Sequence, residues 1–379
     1  MAPDADPILL SGAAAPGEAR RAGGGARVPG AGAGVPGAGA PEGPGGRARG
    51  GAARRPAVRV PVPAALLGGA GRTAEGAAWL DGLPALVDRA SRRWELALGA
   101  PFPSGSASWC APARDAAGRD LVLKVSFPHD EARDEVAVLR AWGGRGAVRL
   151  VDADVGDWAL LLDRVRPGTP LRADRTPAVR RLAEAADVLR ALHAAPAPPG
   201  LPALGDVARG LADVAADRAE RARRAGVRLD PGLLRAADAT LRGAGEPGSA
   251  PAVPLHGDCN PGNVLRGGGD RGGPAAWVAI DPKALTGDPA YDVWPLLEQV
   301  ADPWRTPDPV RTLRDRLELV AGRAGLDAAG AARWAVARGT EAALWAWHHG
   351  AGRPRAAREV DRALGRVRDW ARVADLLGG

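Results

Sequence analysis

From about residue 58 onward, apolar residues recur with the two periods of regular secondary structure. Trp79, Leu80, Leu83, Leu86, Val87, Ala90 and Trp94 stand at helical spacing and predict a helix within 75–99. Trp109 to Ala113 reads as a strand, Asp115 to Arg119 as a hairpin turn around Gly118, and Leu121 to Phe127 as the returning strand. Pro128 then opens a helix that runs to about Trp142, with Asp130 and Glu131 in its first turn. Val148–Asp152 and Trp158–Asp163 predict two further strands, and Pro167-Gly168 a break. Beyond the break the helical period dominates, over Pro177–His193, Val207–Ala225 and Pro231–Arg242. A loop and strand region follows over 253–282, and then helices from about Asp288 to the end. The pattern predicts an α+β fold in two lobes, a β-rich one over 57–166 and a helical one over 167–379. Such an arrangement suits a ligand held between the lobes.

Composition adds a third region. The first 56 residues hold 15 Gly and 8 Pro, and only Ile8, Leu9, Leu10, Val28 and Val35 are large and apolar. That is too little apolar surface to offset the entropy of ordering, so 1–56 is expected to be a disordered tail. Its seven Arg against four acidic residues account for +3 of the formal +7. Weak contact of the tail with nucleic acid is conceivable on charge, but no aromatic residue precedes Trp79 to stack on bases. The run Gly32 to Gly37 satisfies G-x-G-x-x-G, yet no strand precedes it and Pro36 interrupts it, so it is not a dinucleotide fingerprint. Two cysteines, Cys110 and Cys259, are too few for a disulfide framework or a tetrahedral zinc site. Apolar runs fall far short of the ~18 residues of a membrane helix, and no secretory pattern opens the chain. The expectation is a monomeric, cytoplasmic protein with no membrane or nucleic-acid partner.

Scarcity sharpens the search. Against 49 Arg there are two Lys, Lys124 and Lys283; two Asn, Asn260 and Asn263; one Tyr, Tyr291; and two Ile, Ile8 and Ile280. Five of these seven fall within 260–291, and Lys124 sits on a predicted strand. Residues retained against so strong a compositional drift mark positions where the chemistry resists substitution.

The segment Leu255-His256-Gly257-Asp258-Cys259-Asn260-Pro261-Gly262-Asn263-Val264-Leu265 carries the strongest signal. Asp258 and Asn263 are spaced as in the kinase catalytic loop H-R-D-x-x-x-x-N, where the Asp accepts the proton of the attacking hydroxyl and the Asn holds magnesium. Downstream, the apolar run Trp277 to Ile280 ends in Asp281, placed to be the second oxygen ligand of a hard cation. Upstream, Lys124 is suited to the nucleotide phosphates, with Glu135 on the next helix as its ion-pair partner and Glu131, one turn earlier, as the competitor. The small-residue turn Ser104 to Ser108, through Ser106 and Ser108, could cover the phosphates with backbone N–H groups, although it lacks the glycine pattern of protein kinases. His256 reads as a brace of the loop and Tyr291 as packing. Asp288 and Asp292 read as helix caps that tether the loop. Lys283 is open between a charge near Asp281 and a solvated side chain. The helix Arg338–His349 reads as core plus an exposed face or, alternatively, as a wall of the acceptor pocket, with Glu341 and Glu298 holding an amino or guanidino group.

His256 to Leu265, together with Ile280-Asp281-Pro282-Lys283 and Gly287-Asp288-Pro289-Ala290-Tyr291-Asp292-Val293, resembles the aminoglycoside phosphotransferase superfamily. Within it the likeness is greatest to the streptomycin 6-kinase and hydroxyurea phosphotransferase family, over about 58–375. The resemblance implies a protein-kinase-like fold, ATP and Mg2+, and phosphorylation of a small-molecule hydroxyl acceptor. It implies Asp258 as base, Asn263 and Asp281 as metal ligands, Lys124 as phosphate anchor and Glu135 as its partner. A streptomycin-type aminoglycoside is the expected acceptor, with hydroxyurea or another small metabolite as the alternative. The departures are Cys259, where the family usually has a large apolar residue, and Asn260, where it usually has His or Asn, and neither is expected to touch a catalytic role. A nucleic-acid binder acting through the basic tail, or a nucleotide-binding protein without turnover, are the competing functions.

Overall fold

A computed structural model of the chain describes residues 60–246, 252–267, 276–350 and 356–378, without the side chains of 130, 131, 276 and 356. The tail over 1–56 and the side chain of Glu131 therefore lie outside the described residues.

A short helix α1 (Ala64–Gly68) leads to α2 (Ala74–Arg93), whose first turn is closed by the Thr73 hydroxyl accepting from Gly76 N–H. The helix ends earlier than the predicted 75–99. Glu95 adopts a positive φ, and the chain enters β1 (Ala97–Leu98). Then follow β2 (Ser108–Arg114), β3 (Asp120–Ser126), α3 (Asp130–Trp142), β4 (Leu150–Asp154) and β5 (Ala159–Asp163). The five strands form one antiparallel sheet in the order β1-β2-β3-β5-β4.

The period of two along β3 decides what each face does. Leu121, Leu123 and Val125 pack with Trp109, Ala111, Ala159 and Leu161 into a core closed by Trp79, Leu83 and Val87 of α2. The alternate residue Lys124 points to the other face, where α3 lies. There Val136, Leu139 and Trp142 join Leu160 and Leu162 in the larger core. A lysine is thus placed in an otherwise apolar layer, and Glu135 on α3 is its counter-charge.

The predicted break at Pro167 is instead a short strand, β6 (Pro167–Pro170), because it pairs antiparallel with β8 (Val264–Gly267), with Thr169 opposite Arg266 and Pro170 opposite Leu265. The helical lobe comprises α4 (Ala178–His193), α5 (Leu204–Arg224), α6 (Pro231–Arg242), α7 (Trp294–Gln299), α8 (Pro309–Ala324), α9 (Ala328–Gly350) and α10 (Ala356–Gly378). Among these helices lie β7 (Val253–Leu255), β9 (Ala276–Ala279) and β10 (Leu285–Gly287). β6, β8 and β9 form one small antiparallel sheet, and β7 pairs with β10. β10 has no alternation long enough to be read from sequence.

These pairings bring two loops together: the β7–β8 connection, 256–263, and the β9–β10 connection, 280–284. They are tied by Lys283 N–H to His256 O at 2.8 Å and Ile280 N–H to Asn263 O at 2.8 Å. The approach is so close that a Cβ on Gly257 would collide with the Lys283 carbonyl, and Gly257 also has φ +76°. The sheet lobe meets the end of β9, just before the second loop, through Val148 N–H to Ala279 O and Ala279 N–H to Gly146 O, both 2.8 Å.

Candidate active site

Lys124 is the hub on the sheet side. Its Nζ lies 2.8 and 2.7 Å from the two oxygens of Glu135 and 2.6 Å from Asp281 Oδ1. A lysine has three N–H donors, so the described partners occupy all of them. Burial alone would favour the neutral amine, but the carboxylates of Asp281 and Glu135 outweigh it and hold Lys124 charged. Glu135 is pushed upward by its burial, with Lys124 opposing. Asp281 is held below the ordinary carboxylate range by Lys124, against its own desolvation. The side chains of Lys124 and Glu135 are 6% and 4% exposed, whereas that of Asp281 is 56% exposed. One oxygen of Asp281 thus faces outward, and its backbone is left-handed at φ +58°, an unfavourable geometry for a non-glycine residue.

The loop 256–263 holds the other predicted residues. Asp258 Oδ1 accepts from Asn260 Nδ2 at 3.1 Å, and its Oδ2 faces Lys283 Nζ at 3.7 Å. Asn263 donates from Nδ2 to the Asp258 carbonyl at 3.1 Å, which turns its amide oxygen the other way. Asn260, read from the sequence only as a position without a catalytic role, is the residue that orients the Asp258 carboxylate, and its own Oδ1 accepts from Gly262 N–H. Cys259 is fully buried in the main core, and burial raises its thiol well above the usual range.

Asp292 braces this loop. Its two oxygens accept the N–H groups of His256 and Gly257, each at 2.8 Å, and a third bond from His193 Nε2 at 3.0 Å. Burial would raise its pKa, but the hydrogen bond and charge of His193 and the donors of His256 hold it below the ordinary carboxylate range. His256 braces as expected. Its Nε2 lies 3.0 Å from the Ile280 carbonyl, which can only accept, so Nε2 carries the proton and Nδ1 accepts from Asp258 N–H at 3.3 Å. Trp142 stacks on the His256 ring. Asp288 caps the next turn by accepting from Ala290 N–H and also takes Trp334 Nε1–H. Neither His193 nor Trp142 was legible as a partner of this loop, since both come from helices distant in sequence.

Four predicted residues stand elsewhere. Ser108 opens β2 with its hydroxyl on Ser126 Oγ at 3.0 Å, and the Ser106 carbonyl accepts from Ala70 N–H at 2.7 Å. Both serines are thus tied to the sheet lobe's own frame, and neither hydroxyl is in the described contacts of Lys124. Glu298 is no open carboxylate, because its Oε1 takes the indole N–H groups of Trp294 and Trp370 at 2.6 and 2.7 Å. Glu341 pairs with Arg218 at 2.9 Å beside a cavity of about 540 Å³ between α5, α6 and α9. None of the residues lining that cavity comes from the loops 256–263 or 280–284.

Comparisons with known proteins give the family and the fold. Residues 93–350 match the family model described as aminoglycoside/hydroxyurea antibiotic resistance kinase. The streptomycin 6-kinase of Streptomyces griseus is 36% identical over 282 residues, 72% of this chain and 85% of that protein. The hydroxyurea phosphotransferase of Kitasatospora aureofaciens is 35% identical over 304 residues, 77% of this chain and 82% of that protein. Among solved structures, a choline/ethanolamine kinase family protein from Mesorhizobium loti superposes with a TM-score of 0.50 at 15% identity, covering 77% of this chain and 99% of that one. That likeness bears on the fold, which is the two-lobed protein-kinase-like fold read from the sequence. The chain belongs to the aminoglycoside/hydroxyurea antibiotic resistance kinase family and is a phosphotransferase acting on small molecules.

Proposed function

We propose that this chain is an ATP- and Mg2+-dependent kinase that moves the γ-phosphoryl group to a hydroxyl of a streptomycin-type aminoglycoside. The observation that carries the reading is the junction of the two loops. Asp258 and Asn263 stand on one, Asp281 on the other, and Lys124 reaches Asp281 from the sheet. The 36% identity to a streptomycin 6-kinase supports the acceptor class. We read the protein as monomeric and cytoplasmic, where ATP is available.

The donor set fits a magnesium ion. Asp281 presents an outward carboxylate oxygen and Asn263 an amide oxygen not used by its bond to the loop, both hard ligands. When bound, the cation would neutralise charge on the phosphate oxygens. Lys124, freed from Asp281, can turn its ammonium to the phosphates while Glu135 retains it. Asp258, oriented by Asn260, accepts the proton of the acceptor hydroxyl. His256 and Asp292 keep that carboxylate in place rather than moving protons. The turn through Ser106 and Ser108, anchored to the sheet lobe by the Ser106 carbonyl and the Ser108 hydroxyl, would offer backbone N–H groups to the phosphates.

The test is ADP release from magnesium-ATP across streptomycin, other aminoglycosides and hydroxyurea, with Asp258→Asn beside the wild type. Streptomycin-stimulated turnover that falls by on the order of 10²–10⁴ in the variant is expected. Stimulation by hydroxyurea alone would replace the acceptor and keep the reaction. No stimulation by any of them would remove both.

A further inference from the structure

The second lysine of the chain, Lys283, stands beside the Asp258 carboxylate. Lys283 lies two residues beyond Asp281, and its main chain is clamped by the bond from its N–H to His256 O and by Gly257 against its carbonyl. Its side chain is less constrained. The ammonium is 3.7 Å from Asp258 Oδ2, and the side chain as a whole is 25% exposed. That distance is beyond a hydrogen bond, so the charge is near the carboxylate without being spent on it. Lys124 differs, since its three donors are taken up by Glu135 and Asp281.

Phosphoryl transfer asks the protein for cations aimed at the oxygens of the moving group. A compact ammonium on a four-carbon stem can swing between a carboxylate and a phosphoryl oxygen, which the planar fork of arginine does poorly. This chain uses arginine for 49 of its 51 Lys and Arg residues and keeps lysine here.

We propose that Lys283 is a catalytic residue: its ammonium swings from Asp258 onto the γ-phosphoryl group of the bound nucleoside triphosphate and stabilises it during transfer. In that step the acceptor oxygen bonds to the γ-phosphorus and its proton passes to Asp258. The bond from γ-phosphorus to the β–γ bridging oxygen breaks, and its electron pair leaves with the diphosphate. Lys283 keeps its three protons throughout. The proposal rests on the kinase reading, and one measurement separates them because it needs no acceptor.

That measurement is calorimetric binding of magnesium-ATP and magnesium-ADP to wild type, Lys283→Ala and Lys283→Arg, with unliganded Tm and acceptor kinetics alongside. In the alanine variant, MgADP affinity and Tm stay at wild-type values. The preference for MgATP over MgADP falls on the order of tenfold, the worth of one charge-assisted hydrogen bond. Its kcat falls on the order of 10²–10³ with acceptor KM unchanged. The arginine variant keeps the ATP preference and loses most of kcat. An alanine variant with the ATP preference and kcat intact would overturn the proposal. So would equal loss of both nucleotides with a lowered Tm, which is the signature of a structural clamp. Wild type that prefers ATP but turns over no acceptor would sink the acceptor reading and leave the binding result for Lys283 standing.

Discussion

Asp281 and Asp292 are two aspartates beside the same loop, one next to the Ile280 carbonyl that His256 holds and one on the His256 and Gly257 N–H groups, with opposite environments. Asp292 is fully buried, and both its oxygens are engaged, by two backbone N–H groups and a histidine. Asp281 is more than half exposed, sits on strained backbone, and shares one oxygen with Lys124. Both carry lowered pKa values, so a shifted pKa does not separate them. What separates them is saturation. A carboxylate whose acceptor sites are filled from within the protein can only hold a shape, whereas one with an open oxygen can take a ligand.

The sharpest way to break the comparison is Asp292→Ala. It removes the acceptor of two buried N–H groups and should cost about 3–5 kcal/mol of stability, as for other buried charge networks that lose one partner. Urea unfolding measures it, and a cost below about 1 kcal/mol would mean that the loop holds itself. Next is Asp281→Asn. Lys124 keeps Glu135 but loses one of the two carboxylates that hold it charged, so unliganded stability should fall by about 1–2 kcal/mol, less than for Asp292→Ala. The variant should also lose the ~2.7 kcal/mol of stabilisation that magnesium-ATP gives wild type at a hundredfold excess over Kd. A thermal-shift titration reads both quantities.

The smallest effect is the acid limb. The folded pKa of Asp292 lies below its unfolded value, so its contribution is present above about pH 4 and is lost as pH falls through the folded value. Wild type should therefore lose stability on acidification more steeply than Asp292→Asn, measured by urea midpoints between about pH 5 and pH 3. Parallel curves would place the acid sensitivity elsewhere.

How much of this was legible follows the range of the interactions. The alternation Leu121, Leu123, Val125 around Lys124 fixed which face the lysine takes, and the helical period put Glu135 and Glu131 on the face opposite it, of which the structure pairs Glu135. The loop spacing identified Asp258 and Asn263, and the apolar strand ending at Asp281 gave the third carboxylate or amide position. The contacts that no period encodes stayed hidden: His193 on Asp292, Trp142 over His256, and the indoles that occupy Glu298. The strands β6 and β10 are too short to alternate, and their pairing is decided by partners distant in sequence. The reading of Asn260 as a position without a catalytic role missed its bond to the base, because one residue type can serve as loop filler or as an orienter depending only on where its amide points.

The most direct test of the central claim is the product itself. Streptomycin incubated with wild type and magnesium-ATP, then examined by phosphorus NMR and mass spectrometry, should carry one new phosphate monoester. Asp258→Asn, with its nucleotide binding intact, should leave the drug unmodified over the same time. A phosphate ester formed equally fast by the variant would contradict the assignment of the base and, with it, the role given to the whole loop.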